Sequence, residues 1–159
     1  MTGNAVIVMG SERDLDFSRD IAKYLKLLWV NFEFRVASAH KSPEAVLAII
    51  KEFEAQKVVY VTVAGRSNAL SAFVDANSSK PVIACPPYAE KYGGADIYSS
   101  LRVPSGIGSV VTIEPEGAAI ATAKILALED AELAQTVKNY QASKRTELEK
   151  ANESVKKLK

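Results

Sequence analysis

The chain has 159 residues, 48% hydrophobic and 25% charged, which is room for one core, and its net charge of +1 argues against a nucleic-acid surface. Its single cysteine, Cys85, excludes an intramolecular disulfide framework and a cysteine-built metal cluster, and makes a reducing cytoplasm the expected compartment. No apolar run approaches the roughly 18 residues of a membrane span, and Met1-Thr2-Gly3-Asn4 leads into a strand without a basic region and long apolar stretch, so neither export nor membrane anchoring is expected.

Residues 5–9 (AVIVM) form a continuous apolar run, as a strand covered on both faces requires, and Gly10-Ser11 breaks it. A helical pattern follows from Asp14, with Leu15, Ile21, Ala22, Leu25 and Leu28 on one side. Residues 32–36 read as the second strand. Ser42 is a suitable N-cap and Pro43 a suitable first helical residue for a helix to about 55, buried through Val46, Ile49, Ile50 and Phe53. Residues 58–63 (VVYVTV) are the most strand-like run. A short helix over 69–76 leads to a fourth strand at 81–84. An irregular stretch rich in Pro, Gly and Tyr then precedes a fifth strand at 110–113 and an alanine-rich helix over 117–128.

This alternation predicts an α/β fold: a single-domain three-layer sandwich with a parallel, flavodoxin-like sheet, right-handed connections and ligands at the carboxyl ends of the strands. Residues 1–129 are expected to form the α/β catalytic domain. Residues 130–159 read as one extended helix with Leu133, Val137, Tyr140, Leu148, Ala151, Val155 and Leu158 spaced by three or four. About 29 residues of helix would span roughly 43 Å, about the diameter of a domain this size. Either its far half frays as a charged tail or its apolar stripe docks on another subunit. The last sixteen residues carry six basic and three acidic side chains, too mild for a polybasic arm, and a solvated tail has no need of an apolar stripe, so assembly is the preferred reading.

Four constellations fall where the sheet's carboxyl ends should be. Gly10-Ser11-Glu12-Arg13-Asp14 offers backbone N–H groups and an arginine to an anion; the alternative is a simple helix cap. The second and third glycines of a dinucleotide fingerprint are absent, so a phosphate is the preferred guest. Ser38-Ala39-His40-Lys41 holds the only histidine, either an ordinary exposed side chain or a proton carrier beside a hydroxyl and an ammonium. A histidine-rich metal site is excluded, and a serine-histidine-acid triad has no support in the sequence. Gly65-Arg66-Ser67-Asn68 follows the strongest strand and either binds something or forms a cap and turn. Finally, Cys85-Pro86-Pro87, Gly93-Gly94 and Pro104-Ser105-Gly106 bound a long loop suited to enclosing a flat ring. Cys85 within it is either a nucleophile or, more commonly at a strand end, a small buried thiol.

Taken together, GSxxD, SAHK, AGRSN, CPP and SSLRxPSG, each after the expected strand and followed by an alanine-rich helix, resemble the aminoimidazole ribonucleotide carboxylase family of purine biosynthesis from about Val6 to Tyr140. The family includes mutases that move a carboxyl group from the exocyclic nitrogen of carboxyaminoimidazole ribonucleotide to ring carbon. Lys41, where the mutases carry arginine, and Arg66-Ser67-Asn68, where they carry a longer loop ending in a second histidine, make this chain similar to the branch that takes up carbon dioxide directly.

The resemblance implies that Ser11, Ser38 and Lys41 hold the ribonucleotide phosphate, with Gly10 and Ala39 in the same loops, and that Asp14 takes the ribose hydroxyls. It implies that His40 is the acid/base, that Gly65, Arg66, Ser67 and Asn68 border the carbon dioxide pocket, and that Pro104, Ser105 and Gly106 close over the imidazole. It further implies a cytoplasmic octamer with shared active sites and no cofactor, metal, nucleic-acid or membrane partner. Family members usually carry serine where this chain has Arg13; arginine either points outward or alters affinity for the phosphate.

The implied chemistry is self-consistent. The ring carbon of an aminoimidazole is an enamine-like nucleophile that attacks carbon dioxide without ATP or biotin, and must then lose a proton to regain aromaticity. His40 is the one imidazole for that proton, while Lys41 and Ser67 are donors for the forming carboxylate. Two alternatives stand beside it: the mutase reaction on the same scaffold, and a flavodoxin-like module that binds a phosphate ligand without catalysis.

Overall fold

The computed structural model describes residues 4–158; the reading of Met1-Thr2-Gly3 and the last residue of the 130–159 segment lie outside the described residues. In chain order the elements are β1 (Asn4–Met9), α1 (Leu15–Leu27), β2 (Asn31–Val36), α2 (Pro43–Phe53), β3 (Val58–Val63), α3 (Ala69–Asn77), β4 (Val82–Ala84), α4 (Tyr98–Leu101), β5 (Val110–Val111), α5 (Pro115–Leu126) and α6 (Ala131–Lys156). The strands form one parallel sheet in the order β2-β1-β3-β4-β5, the flavodoxin-like order, whose switch point lies between β1 and β3.

Both faces of the sheet are covered, which is why the inner strands read as unbroken apolar runs. Ala5, Ile7 and Met9 point to a core shared with Ile21 and Leu25 of α1, Ala119 and Ala123 of α5, and Leu133 and Val137 of α6. Val6 and Val8 point the other way, to Val46, Ile50 and Phe53 of α2 and Leu70 and Val74 of α3. The three-layer sandwich is therefore as expected, and the alanines of α5 let it lie close against α1.

Several local expectations are corrected. The chain after β1 enters a 3-10 turn (Glu12–Asp14) before α1, capped by the Ser11 hydroxyl, which accepts from Arg13 N–H at 3.2 Å. Ser42 precedes α2 but does not cap it: its hydroxyl accepts from Ser38 N–H at 3.1 Å, a contact that closes the preceding turn. Strand β5 is two residues rather than four, because it is an edge strand with Val110 exposed. The stretch expected to be irregular contains 3-10 turns at Glu90–Tyr92 and Ala95–Ile97, leading into α4.

Helix α1 ends with Trp29 N–H bonded to Lys26 O and Val30 N–H bonded to Leu25 O, the paired closure that usually places glycine at the left-handed position. Here Trp29 occupies it at φ 59°, with its side chain 82% exposed. Helix α6 has 26 residues, so it is about 39 Å long. Only Leu133 and Val137 are buried, whereas Leu148, Val155 and Leu158 are exposed, so the far half leaves the body of the domain.

Candidate active site

The site is built from the loops leaving four strands at one level of the sheet. Met9 lies opposite both Val36 and Val63 in register, and the ladder continues one step past the strands, with Gly10 N–H donating to Val63 O and Ala37 N–H to Met9 O. Beyond that step each chain turns outward, so Ser11, Ser38 and Gly65 start from a common shelf. The first and third loops lie side by side here: a Cβ at position 10 would stand in van der Waals contact with the Ala64 Cβ, at 3.4 Å.

A cavity of about 630 Å³ opens on this shelf, across the switch point. It joins Gly10, Ser11, Arg13 and Asp14 from the first loop, Ser38, Ala39, His40 and Lys41 from the second, and Gly65, Arg66 and Ser67 from the third. Eleven of the fifteen residues expected at a site are thus adjacent in space although they come from three separate segments. Three cationic side chains, Arg13, Lys41 and Arg66, share the lining with one carboxylate, Asp14, which suits an anionic ligand.

The serine hydroxyls of the first two loops each accept a backbone N–H within their own turn. Ser11 Oγ accepts from Arg13 N–H at 3.2 Å and Ser38 Oγ accepts from Lys41 N–H at 3.3 Å. An oxygen that accepts a backbone proton keeps its own proton to give, so capping the turn and binding an anion are compatible tasks for the same serine. His40 stands exposed in the tight turn between β2 and α2, which the Ser42 N–H closes on Ser38 O at 2.8 Å.

Burial pushes the Asp14 carboxyl above its ordinary 3.8; the Ser11 backbone N–H and the positive charge of Arg66 oppose that rise. Burial pushes the Cys85 thiol up to about 11, so it is a protonated, inaccessible side chain of the core and the nucleophile reading fails.

Asn68, Pro104, Ser105 and Gly106 do not line the cavity of the single chain. Asn68 is buried; its Oδ1 accepts from Ser71 N–H at 3.2 Å, capping α3, and its Nδ2 donates to Ser100 Oγ at 3.0 Å. Pro104, Ser105 and Gly106 are exposed in the segment just before β5, at the sheet's far edge.

Five lining residues were not among those singled out: Ala64, Leu70, Pro87, Tyr88 and Ala89. The first two are apolar and indistinguishable from core in sequence. Pro87, Tyr88 and Ala89 form the wall on the β4 side, and the Pro86-Pro87 pair was the one local signal. Among the described residues no group of three or more His, Cys, Asp or Glu side chains is placed to hold a metal ion. No described helix is long and apolar enough to cross a membrane.

Fold and cavity define a doubly wound α/β protein with a cation-lined cavity at its switch point and one imidazole in its lining. The profile of the AIR carboxylase family matches residues 4–147. The chain is 57% identical to a phosphoribosylaminoimidazole carboxylase of Archaeoglobus fulgidus over 95% of this chain and 84% of that protein. It is 46% identical to a phosphoribosylaminoimidazole carboxylase of Treponema denticola over 87% of this chain and 88% of that one. The crystal structure of Treponema denticola PurE superposes with a TM-score of 0.94 at 42% identity, covering 97% of this chain and 99% of that one. The chain belongs to the AIR carboxylase family.

Proposed function

We propose that this protein carboxylates 5-aminoimidazole ribonucleotide with carbon dioxide, giving 4-carboxy-5-aminoimidazole ribonucleotide, a reversible step of purine biosynthesis. The observation that carries this reading is the meeting of His40, the only imidazole, with Lys41, Arg66 and Ser67 around one cavity. The relatives named as carboxylases favour it over the mutase reaction.

In this reading Ser11, Ser38 and Lys41 hold the phosphate with Arg13 beside them, and Asp14 accepts from the ribose hydroxyls. The ring carbon attacks carbon dioxide, forming the carbon–carbon bond while one C=O pair moves onto oxygen. Lys41 and Ser67 stabilise that developing carboxylate. His40 then takes the proton from the tetrahedral ring carbon, whose electron pair restores the aromatic ring. Ala64 and Leu70 supply apolar surface where carbon dioxide resists hydration. No ATP, biotin or other cofactor enters this sequence of steps.

We also propose a homo-oligomer, an octamer by family resemblance, working in the cytoplasm. The far half of α6 has two i,i+3 pairs, Lys144 with Glu147 and Lys156 with Glu153. Each such pair contributes only about 0.2–0.5 kcal/mol, too little to order a charged helix alone. Cover over Leu148, Val155 and Leu158 would supply what is missing. The exposure of Pro104, Ser105 and Gly106 supports their serving a neighbouring subunit's cavity. Sedimentation of the purified chain is expected to give a single assembly; a monomer at micromolar concentration would rule the assembly out.

The activity test assays the purified chain with aminoimidazole ribonucleotide plus carbon dioxide, and separately with the carboxyamino isomer. Product from the first pair is expected. Turnover of the isomer alone would establish the mutase, and binding without turnover of either would establish a non-catalytic module.

A further inference from the structure

Arg66 is one of two non-glycine residues with left-handed backbone among the described residues, at φ 63°. An arginine holds that conformation only where its surroundings over-determine it, and it lies on the cavity wall. The contacts that fix it come from one distant segment. Asp96 Oδ2 accepts from Arg66 N–H at 2.8 Å, thirty residues away in sequence. Ser99 Oγ lies 3.0 Å from the Arg66 carbonyl oxygen and accepts from Asn68 N–H at 3.0 Å. Ser100 Oγ accepts from Asn68 Nδ2 at 3.0 Å, so both ends of the Arg66–Asn68 turn are held by the same five-residue stretch, Asp96 to Ser100.

Of these bonds the one to Asp96 is charge-assisted, and it acts on the strained residue itself. The same carboxylate oxygen would lie 3.5 Å from a Cβ at position 65, so it sits directly under the Gly65–Arg66 peptide. Asp96 does not line the cavity. We infer that Asp96 is a positioning residue: its carboxylate holds Arg66 in the left-handed conformation and thereby sets where the Arg66 side chain meets the ribonucleotide and carbon dioxide. This rests on the proposed carboxylase reading for the identity of the ligand. A purely structural Asp96, one that only tethers the 95–101 segment, would act independently of the residue at position 66.

The two are separated by a cycle of Asp96→Ala, Arg66→Gly and the double variant, with Asp96→Asn as the conservative control. The readouts are kcat, KM and the calorimetric Kd for aminoimidazole ribonucleotide. Asp96→Ala is expected to raise KM and Kd about tenfold while kcat falls less than about threefold. Asp96→Asn, whose amide oxygen can accept the same N–H, should stay within about twofold of the parent. In the Arg66→Gly background, where glycine takes the left-handed form freely, Asp96→Ala should add less than about twofold. A tenfold effect in both backgrounds, or none in the parent, overturns the inference. If Asp96→Ala does not fold, Ser99→Ala enters the same cycle with the same expected non-additivity. A parent protein that binds the ribonucleotide without turnover would sink the carboxylase reading alone, since the Kd cycle would still decide the place of Asp96.

Discussion

The Tyr140 hydroxyl donates to Glu116 Oε1 at 2.8 Å, joining the middle of α6 to the first turn of α5. Burial and the neighbouring Glu116 carboxylate together hold the phenol well above its usual range, so it remains a donor at every working pH. Lys144 approaches the same carboxylate less closely, at 3.9 Å. Tyr140→Phe is expected to cost about 1 kcal/mol and lower the melting temperature by about 3 °C, checked by thermal unfolding. An unchanged midpoint would mean that Leu133 and Val137 alone anchor α6.

His40→Asn should keep ribonucleotide binding and lose turnover by about 100-fold to 10,000-fold, the usual contribution of a general acid/base. Steady-state kinetics paired with titration calorimetry separates the two effects. Near-normal kcat would remove the histidine from the chemistry.

Asp14→Asn has opposite effects on stability and on binding. The folded-state pKa of Asp14 lies above that of the unfolded chain because burial disfavours its charge. The fold is therefore penalised at neutral pH, and the penalty disappears as pH falls below the unfolded value of 3.8. The asparagine variant should melt higher than the parent at pH 7, with no difference below about pH 4. Its KM for the ribonucleotide should rise about tenfold or more, as a charge-assisted contact to the ribose is lost. A variant less stable than the parent at pH 7 would show that Ser11 and Arg66 outweigh burial.

Arg13 is among the residues lining the cavity, which favours an effect on phosphate affinity for this departure from the family pattern. Arg13→Ser is expected to raise KM for the ribonucleotide several-fold, with kcat little changed, and the rise should shrink as salt screens the phosphate. An unchanged KM at low salt would leave Arg13 without a direct contact.

Trp29→Gly should stabilise the protein. The left-handed position at the end of α1 strains tryptophan and suits glycine, a difference of about 1 kcal/mol or a rise of about 2–4 °C in melting temperature. A lower melting temperature would mean that the exposed indole makes contacts in the assembled protein that outweigh the strain.

The sheet was legible because strands covered on both faces leave a mark that needs no partner to interpret: six apolar or near-apolar residues in a row at Val58–Val63. The loops carrying Ser11, His40 and Arg66 were legible because polar residues directly after such runs have few other reasons to be there. Helix α4 and the turns before it were not, since Gly93 and Gly94, both left-handed, interrupt any period. Asp96 was invisible for a different reason. Its partner is thirty residues away, and only the packing of the β4–β5 connection against the end of β3 brings a carboxylate under the Arg66 amide. Asn68 looked like a ligand-binding amide, but its polar atoms are spent inside the protein.

The alignment of Met9, Val36 and Val63 at one height makes the sheet a ruler. From β2, which carries His40 and Lys41, to β4, which leads to Tyr88, there are three interstrand steps, about 14 Å in all. That width is set by main-chain pairing and is the same whatever side chains stand on the shelf. Substitutions in the loops can change how firmly each end of a ligand is gripped, yet the length of molecule that fits between the flanks is fixed by the count of strands.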